Sequence, residues 1–263
     1  MENPDSGWQN KRMQTFTALF LLLLLSASAW ADSNQFTIKV APDVDVPISA
    51  YGASRQRLIL WLPSEHGVVG AEHEIARQLA NRGYAVWVAD LFTARFLPIA
   101  PSSLNEIPAT DVAQLIRTAA RRHAKIYLLS SGQGAGRALE GAQLWQTHHR
   151  AISGAILLFP NLYAASPEAG EAPSYLPIVG QSRLPIAILQ GSLSPWYWQL
   201  NELKTQLELG GARVAIKALP GLRDRFYFRE DALPREREAR TQLAAAIDDS
   251  IRHLPSLKPG KTP

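Results

Sequence analysis

Short apolar runs alternate with longer amphipathic segments along most of the chain. The run Arg57–Leu62 is almost continuously apolar, as expected of a strand buried on both faces of a parallel sheet. The next segment, Ala71–Arg82, instead places Ile75, Ala76 and Leu79 on one helical face. This alternation predicts an α/β protein with a mostly parallel central sheet and helices on both faces.

The same two patterns predict elements along the rest of the chain. Further strands are predicted at Gln35–Val40, Val46–Tyr51, Tyr84–Val88, Lys125–Ser130, Ile152–Phe159, Pro185–Gln190 and Arg213–Leu219. Further helices are predicted at Asp111–Arg122, Ala135–Gln146, Trp198–Leu209 and Arg235–His253. Thr110 is the predicted cap of the first of these helices. The segment Asn161–Arg183 has weak periodicity and several Pro and Gly residues, so we expect a long excursion over the sheet edge.

The first residues have the features of a secretory signal peptide. Lys11 and Arg12 precede the apolar run Phe16–Leu25, and Ala29-Trp30-Ala31 has the small-x-small pattern that signal peptidase cleaves. A membrane anchor is the alternative, but Phe16–Trp30 is shorter than the ~20 residues needed to span a bilayer. We therefore expect cleavage after Ala31 and a periplasmic or secreted protein.

The predicted organisation is a signal peptide at 1–31, one α/β domain at 32–255 and a polar tail at 256–263. No repeat or domain linker interrupts the middle segment. We expect no membrane span after cleavage of the signal peptide.

Charge and cysteine usage narrow the classes of function. The chain carries a formal net charge of +4, and its arginines are scattered without a basic run, so nucleic-acid binding is not expected. It contains 0 cysteines, which excludes disulfides, thiol chemistry and thiolate metal sites.

One glycine-rich turn is the main candidate for chemistry. Residues 125–139 read KIYLLSSGQGAGRAL, a predicted strand, a turn of small residues and a predicted helix. This is the pattern of a nucleophile elbow, in which small residues flank a reactive residue on a sharp turn. In the register Ser131-Gly132-Gln133-Gly134-Ala135, the reactive position falls on Gln133.

The order of segments around this turn resembles α/β hydrolases of the dienelactone-hydrolase type. The resemblance is carried by the sequences LWLPSEHGVVGAEHEIARQLANRGYAVWVADL, ISGAILLFPNLY, PIAILQGSLSPW and ALPGLRDRFYF, in that order, over about residues 35–252. It implies a single-domain α/β-hydrolase fold with a Ser/Asp/His triad. The acid position of the family falls on Ser194 and the histidine position on Asp224, so all three positions are substituted.

These substitutions predict the loss of hydrolysis. An amide cannot form an acyl intermediate, and an aspartate cannot replace imidazole as a general base near neutral pH. The resemblance therefore implies a non-catalytic protein that binds an unidentified small molecule or a periplasmic protein partner, without a cofactor. The alternative is an ester or lactone hydrolase that uses Ser130 or Ser131 as an unusual nucleophile with Asp224 as base.

Several other polar and aromatic residues could line the cleft. Glu65 and His66 follow the predicted strand Arg57–Leu62, where they line the cleft or form a surface loop. Gly132 and Gly134 would border the same cleft, and Trp196 would cover it or pack on the core.

No metal site is expected from the acidic and histidine residues near the first predicted helix. His73-Glu74 is not followed by the second histidine of a zinc-protease motif. With Glu72, these residues are instead expected to form the exposed start of that helix.

Overall fold

The computed structural model describes residues 33–147, 152–165 and 171–255. The predicted signal peptide and the predicted polar tail therefore lie outside the described residues. From Ser33 onward, the described residues form one compact unit.

A mixed sheet of eight strands forms the centre of the described chain. The strands are Asn34–Ala41 (β1), Val44–Tyr51 (β2), Arg57–Trp61 (β3), Ala85–Ala89 (β4), Lys125–Ser131 (β5), Gly154–Leu158 (β6), Pro185–Gly191 (β7) and Arg213–Leu219 (β8). Their order in the sheet is β1-β2-β4-β3-β5-β6-β7-β8. The pairs β1–β2 and β2–β4 are antiparallel, and the other pairs are parallel.

The described residues form six α-helices, of which five lie between successive strands and the sixth follows the last strand. They are Gly70–Ala80 (α1), Leu91–Ala94 (α2), Ala109–Ala120 (α3), Gly134–Gln146 (α4), Leu200–Leu209 (α5) and Pro234–Arg252 (α6). Three short 3₁₀ helices add Pro101–Glu106, Pro177–Gly180 and Tyr197–Gln199. None of the helices described here is long and apolar enough to cross a bilayer.

The sheet is buried on both faces by two separate apolar clusters. Along β3, Leu58 and Leu60 belong to one cluster, whereas Ile59 and Trp61 belong to the other. Helices α3, α4 and α5 pack on the first face, and α1 and α6 pack on the second. This two-sided burial explains why β3 is continuously apolar, and it confirms the predicted α/β architecture.

Some predicted boundaries were wrong because turn residues decide where helices begin. Helix α3 starts one residue before Thr110, and its N-cap is Pro108, whose ring fixes its own φ. Helix α5 starts at Leu200 rather than Trp198, because the 3₁₀ turn Tyr197–Gln199 comes first.

Candidate functional site

The turn between β5 and α4 has a left-handed residue at its apex. Gly132 has φ +55°, whereas Gln133 has φ −70° and ψ −23° and is the N-cap of α4. A nucleophile elbow places its reactive residue in the strained conformation of the turn. By backbone conformation the reactive position is therefore Gly132, one residue before the expected Gln133.

Close packing around the turn supports the same assignment. A Cβ atom on Gly134 would lie 2.1 Å from the carbonyl oxygen of Pro63 and 2.7 Å from Ser130 Oγ. Ser130 and Gly134, two positions before and two positions after Gly132, thus lie so close together that only small residues fit there. Small residues flank both Gly132 and Gln133 in this sequence, so the sequence alone permits either residue at the apex. The backbone conformation places Gly132 there.

The space in front of Gly132 is occupied by the carboxylate of Glu65. The Gln133 backbone N–H donates a hydrogen bond of 2.8 Å to Glu65 Oε2, and the Glu65 side chain is 14% exposed. A Cβ atom on Gly132 would lie 2.3 Å from the same oxygen. In hydrolases with this elbow, the N–H of the residue after the nucleophile helps to form the oxyanion hole. Here that N–H binds a carboxylate of the protein itself.

The loop that follows β3 contains Glu65 and contacts the loop that follows β8. The His66 N–H donates to Ser64 Oγ at 3.1 Å, and His66 Nε2 lies 3.6 Å from Glu65 Oε1. Arg225 Nη1 donates to His66 Nε2 at 2.9 Å, because a guanidinium can only donate. Arg225 itself has φ +60°. These contacts join the loops after β3, β5 and β8 at one edge of the sheet.

The structure brings Ser194 and Asp224 into direct contact. Ser194 Oγ donates to Asp224 Oδ2 at 2.8 Å, and Gln190 Nε2 donates to Oδ1 at 2.8 Å. Burial raises the pKa of Asp224, while the hydrogen bonds from Ser194 and Gln190 oppose that rise. Both carboxylate oxygens of Asp224 are therefore engaged by neighbours within the protein.

Ser130 and Ser131 lie beneath the turn rather than at its surface. Ser131 is 2% exposed, and its Oγ lies 3.2 Å from the hydroxyl of Tyr227. Ser130 is 0% exposed, and its Oγ has no hydrogen-bond partner among the described residues. Neither hydroxyl faces a space that a substrate could enter without movement of the turn.

A buried acid beneath the site was missed by the sequence analysis. Glu72 is 0% exposed instead of lying at an exposed helix start. Its Oε2 accepts from the Val69 N–H at 3.3 Å, and its Oε1 accepts from the Tyr227 hydroxyl at 3.4 Å. Burial raises the pKa of Glu72 to about 8. Glu72 is the third residue of α1, and its contact with the Val69 N–H is half of a capping box. Valine at the N-cap lacks the hydroxyl that completes the motif, so the usual sequence signature is missing.

Trp196 forms one wall near the Ser194–Asp224 pair. Its ring is half-buried and stacks on Tyr163 with a centroid distance of 4.7 Å, and the Trp196 backbone N–H donates to Ser194 Oγ at 3.1 Å. Trp198, two residues later, is 88% exposed. Of the three consecutive aromatic residues after β7, Trp196 therefore packs against a neighbouring ring, whereas Tyr197 and Trp198 are exposed.

Two observations bear on metal and phosphate binding at this edge of the sheet. Among the residues described, no group of three or more His, Asp or Glu side chains is arranged to hold a metal ion. The glycine-rich turn presents the Gln133 N–H to Glu65, and that contact leaves this donor without room for a phosphate.

Comparisons with known proteins found similarity among solved structures. No protein-family model matches the chain. No curated protein matches it either. An esterase from Pyrobaculum calidifontis is 16% identical with a TM-score of 0.64, covering 91% of this chain and 92% of its own.

Two further structures extend this likeness. Carboxyl esterase 2 from the fungus Tuber melanosporum is 13% identical with a TM-score of 0.63, covering 86% of this chain and 88% of its own. A structure from Klebsiella pneumoniae described as a dienelactone hydrolase is 15% identical with a TM-score of 0.60, covering 81% of this chain and 96% of its own. With the strand order and the elbow described above, these likenesses show that the chain has the α/β-hydrolase fold.

Proposed function

We propose that this protein is an exported α/β-hydrolase-fold protein that has lost hydrolysis and acts by binding a small molecule or a protein partner. One observation carries the proposal: the apex of the elbow is Gly132, and the Gln133 N–H beside it is bound by Glu65. The position of a nucleophile thus has no side chain, and a donor that would stabilise an oxyanion is already engaged.

Two side chains that could act as a general base at this edge of the sheet are held by neighbouring residues. A general base acts by taking a proton from a group within hydrogen-bond reach. Asp224 holds the position of the family's histidine, but both its oxygens accept hydrogen bonds from Ser194 and Gln190. His66 lies in the same loop as Glu65, and its Nε2 accepts a hydrogen bond from Arg225.

Export is the part of the proposal that rests on sequence alone. Lys11 and Arg12, the apolar run Phe16–Leu25 and the Ala29-Trp30-Ala31 pattern support it. The periplasm is the compartment we propose.

Ester hydrolysis by the mature protein tests the proposal against its alternative, a hydrolase that uses Ser130 or Ser131. We expect p-nitrophenyl acetate and p-nitrophenyl butyrate to be hydrolysed no faster than in buffer. The Ser131→Ala and Ser130→Ala proteins, verified as folded by circular dichroism, should give the same rates as the unchanged protein. Turnover that Ser131→Ala or Ser130→Ala abolishes would overturn the non-catalytic proposal and identify the nucleophile.

A further inference from the structure

A groove with a volume of about 620 Å³ runs between the edge strand β8 and helix α6. Within the described sheet, β8 pairs only with β7, so its other edge is free to border this groove. Small-molecule sites commonly have volumes of ~300–1,000 Å³. Neither Gly132 nor Glu65 lines the groove, so it is distinct from the candidate site at the elbow.

The floor of the groove is apolar because α6 presents small residues there. Ala239 and Ala246 are half-buried on the facing side of α6. Beneath them lie the buried side chains of Leu222, Phe226 and Leu243. A longer side chain at either alanine would project into the groove, and its absence leaves an apolar channel suited to a hydrocarbon chain.

The charged side chains at the two ends of the groove are not equivalent. Towards the end of α6, Lys217 Nζ is paired with Asp249 Oδ2 at 2.6 Å. At the start of α6, the side chain of Arg235 lies against Gly221. A Cβ atom added to that glycine would be 2.6 Å from Arg235 Nη1. Arg235 is exposed and has no hydrogen-bond or ion-pair partner within the described part of the chain. The groove lining on α6 extends from Arg235 to Ala246, which is about 16 Å along the helix.

The unpaired guanidinium of Arg235 favours an anionic group at the start of α6. The lining also contains Lys217, whose charge Asp249 balances, and one acidic side chain, Glu238, three residues after Arg235. The whole chain carries a formal net charge of +4, which also attracts anions. A guanidinium binds a carboxylate through two parallel hydrogen bonds, and that geometry suits the unpaired Arg235.

We propose that the groove binds an amphipathic monocarboxylate, with its alkyl chain on the apolar floor and its carboxylate on Arg235. The proposal does not depend on the loss of hydrolysis, since none of the elbow residues takes part in it. Binding can therefore be measured separately from any ester turnover.

Isothermal titration calorimetry of the mature protein with sodium decanoate tests this site. We expect saturable binding of one decanoate per chain, with hexanoate binding more weakly because its shorter chain buries less apolar surface. Arg235→Gln should weaken decanoate binding by about tenfold. Arg237→Gln is the matched control, because Arg237 lies on the same helix outside the groove and donates to the Ala232 carbonyl oxygen. It should leave the affinity unchanged.

A second variant tests the groove itself. Ala246→Phe should fill the channel and abolish decanoate binding, and Arg235→Gln provides an independent result if that variant does not fold.

The proposal is overturned if decanoate gives no saturable heat, or if Arg235→Gln and Arg237→Gln bind it equally well. Tighter binding of decyltrimethylammonium that Glu238→Gln removes would overturn the assigned charge. A dimer in sedimentation that Ala246→Phe dissociates would instead identify a second copy of the chain as the occupant.

Discussion

At the scale of single residues, the hydrogen bond from the Gln133 N–H to Glu65 is the most informative contact in the molecule. A carboxylate at a helix N-terminus gains both a charge-assisted hydrogen bond and a favourable interaction with the helix dipole. We expect Glu65→Gln to lower the free energy of unfolding by about 1–2 kcal/mol in urea denaturation. The control is Glu230→Gln, an exposed acid with no side-chain hydrogen bond in the described structure, and it should change stability by less than about 0.5 kcal/mol. Equal stability of the two variants would contradict the contact.

The buried carboxyl group of Glu72 predicts a specific pH dependence of stability. Burial raises its pKa from 4.5 to about 8, so the folded protein holds a proton that the unfolded chain releases between these values. Stability from this group is fully present below pH 4.5 and is lost as the pH rises through about 8, with a slope of up to ~1.4 kcal/mol per pH unit.

Urea denaturation between pH 5 and pH 8 measures this effect. Glu72→Gln, which resembles the neutral acid, should remove this component of the slope. Glu74→Gln, a change to a half-exposed acid on the same helix, should keep it. A slope that Glu72→Gln leaves unchanged would show that Glu72 is ionised in the folded protein.

The sequence could predict which segments meet at the site but not which atoms face each other. Ser194 and Asp224 were placed together by their segments, and the structure shows them in contact. The apex was misplaced by one residue because small residues flank both Gly132 and Gln133. The role of Glu65 depends on a contact across 68 positions of the chain, which no local pattern contains.

At the scale of elements, the turn between β5 and α4 packs closely against the residues that follow β3. This close packing predicts that Gly134 cannot be replaced by a residue with a side chain. Gly134→Ala would place a Cβ atom 2.1 Å from the Pro63 carbonyl oxygen, a backbone atom that cannot move alone. We expect a loss of about 3 kcal/mol or failure to fold, measured by thermal unfolding.

The matched control for this turn is Gly70→Ala at the start of α1. An added Cβ there meets nothing within 4 Å, and helix propensity favours alanine. The control should therefore retain or slightly increase stability. If Gly134→Ala were as stable as Gly70→Ala, the close crossing at the elbow would be wrong.

The predicted strands agree with the structure better than the predicted helix starts. Strands β3, β4 and β6 are buried along nearly their whole lengths, so each has a continuous apolar sequence that identifies it. The start of α5 depends instead on a hydrogen bond from the Trp196 N–H to Ser194 Oγ and on the following 3₁₀ turn. Such local turn geometry leaves little trace in the hydrophobic pattern.

At the scale of the whole molecule, the proposed export predicts where the mature protein begins, and the compact unit of the structure begins at Ser33. We expect the protein recovered from the periplasm to begin at Asp32, as intact mass spectrometry and N-terminal sequencing would show. Ala31→Leu should block processing, because signal peptidase accepts small residues before its cleavage site. Recovery of the full-length chain from the cytoplasm would contradict the proposed export.

The central claim is that this α/β-hydrolase fold carries no reactive nucleophile at its elbow. Incubation of the mature protein with an excess of a fluorophosphonate, followed by intact mass spectrometry, tests it most directly. An active serine hydrolase treated in the same way is the positive control. We predict that the protein keeps its unmodified mass, because Gly132 has no side chain and Ser130 and Ser131 are buried. A stoichiometric adduct that disappears in Ser131→Ala or Ser130→Ala would contradict the account.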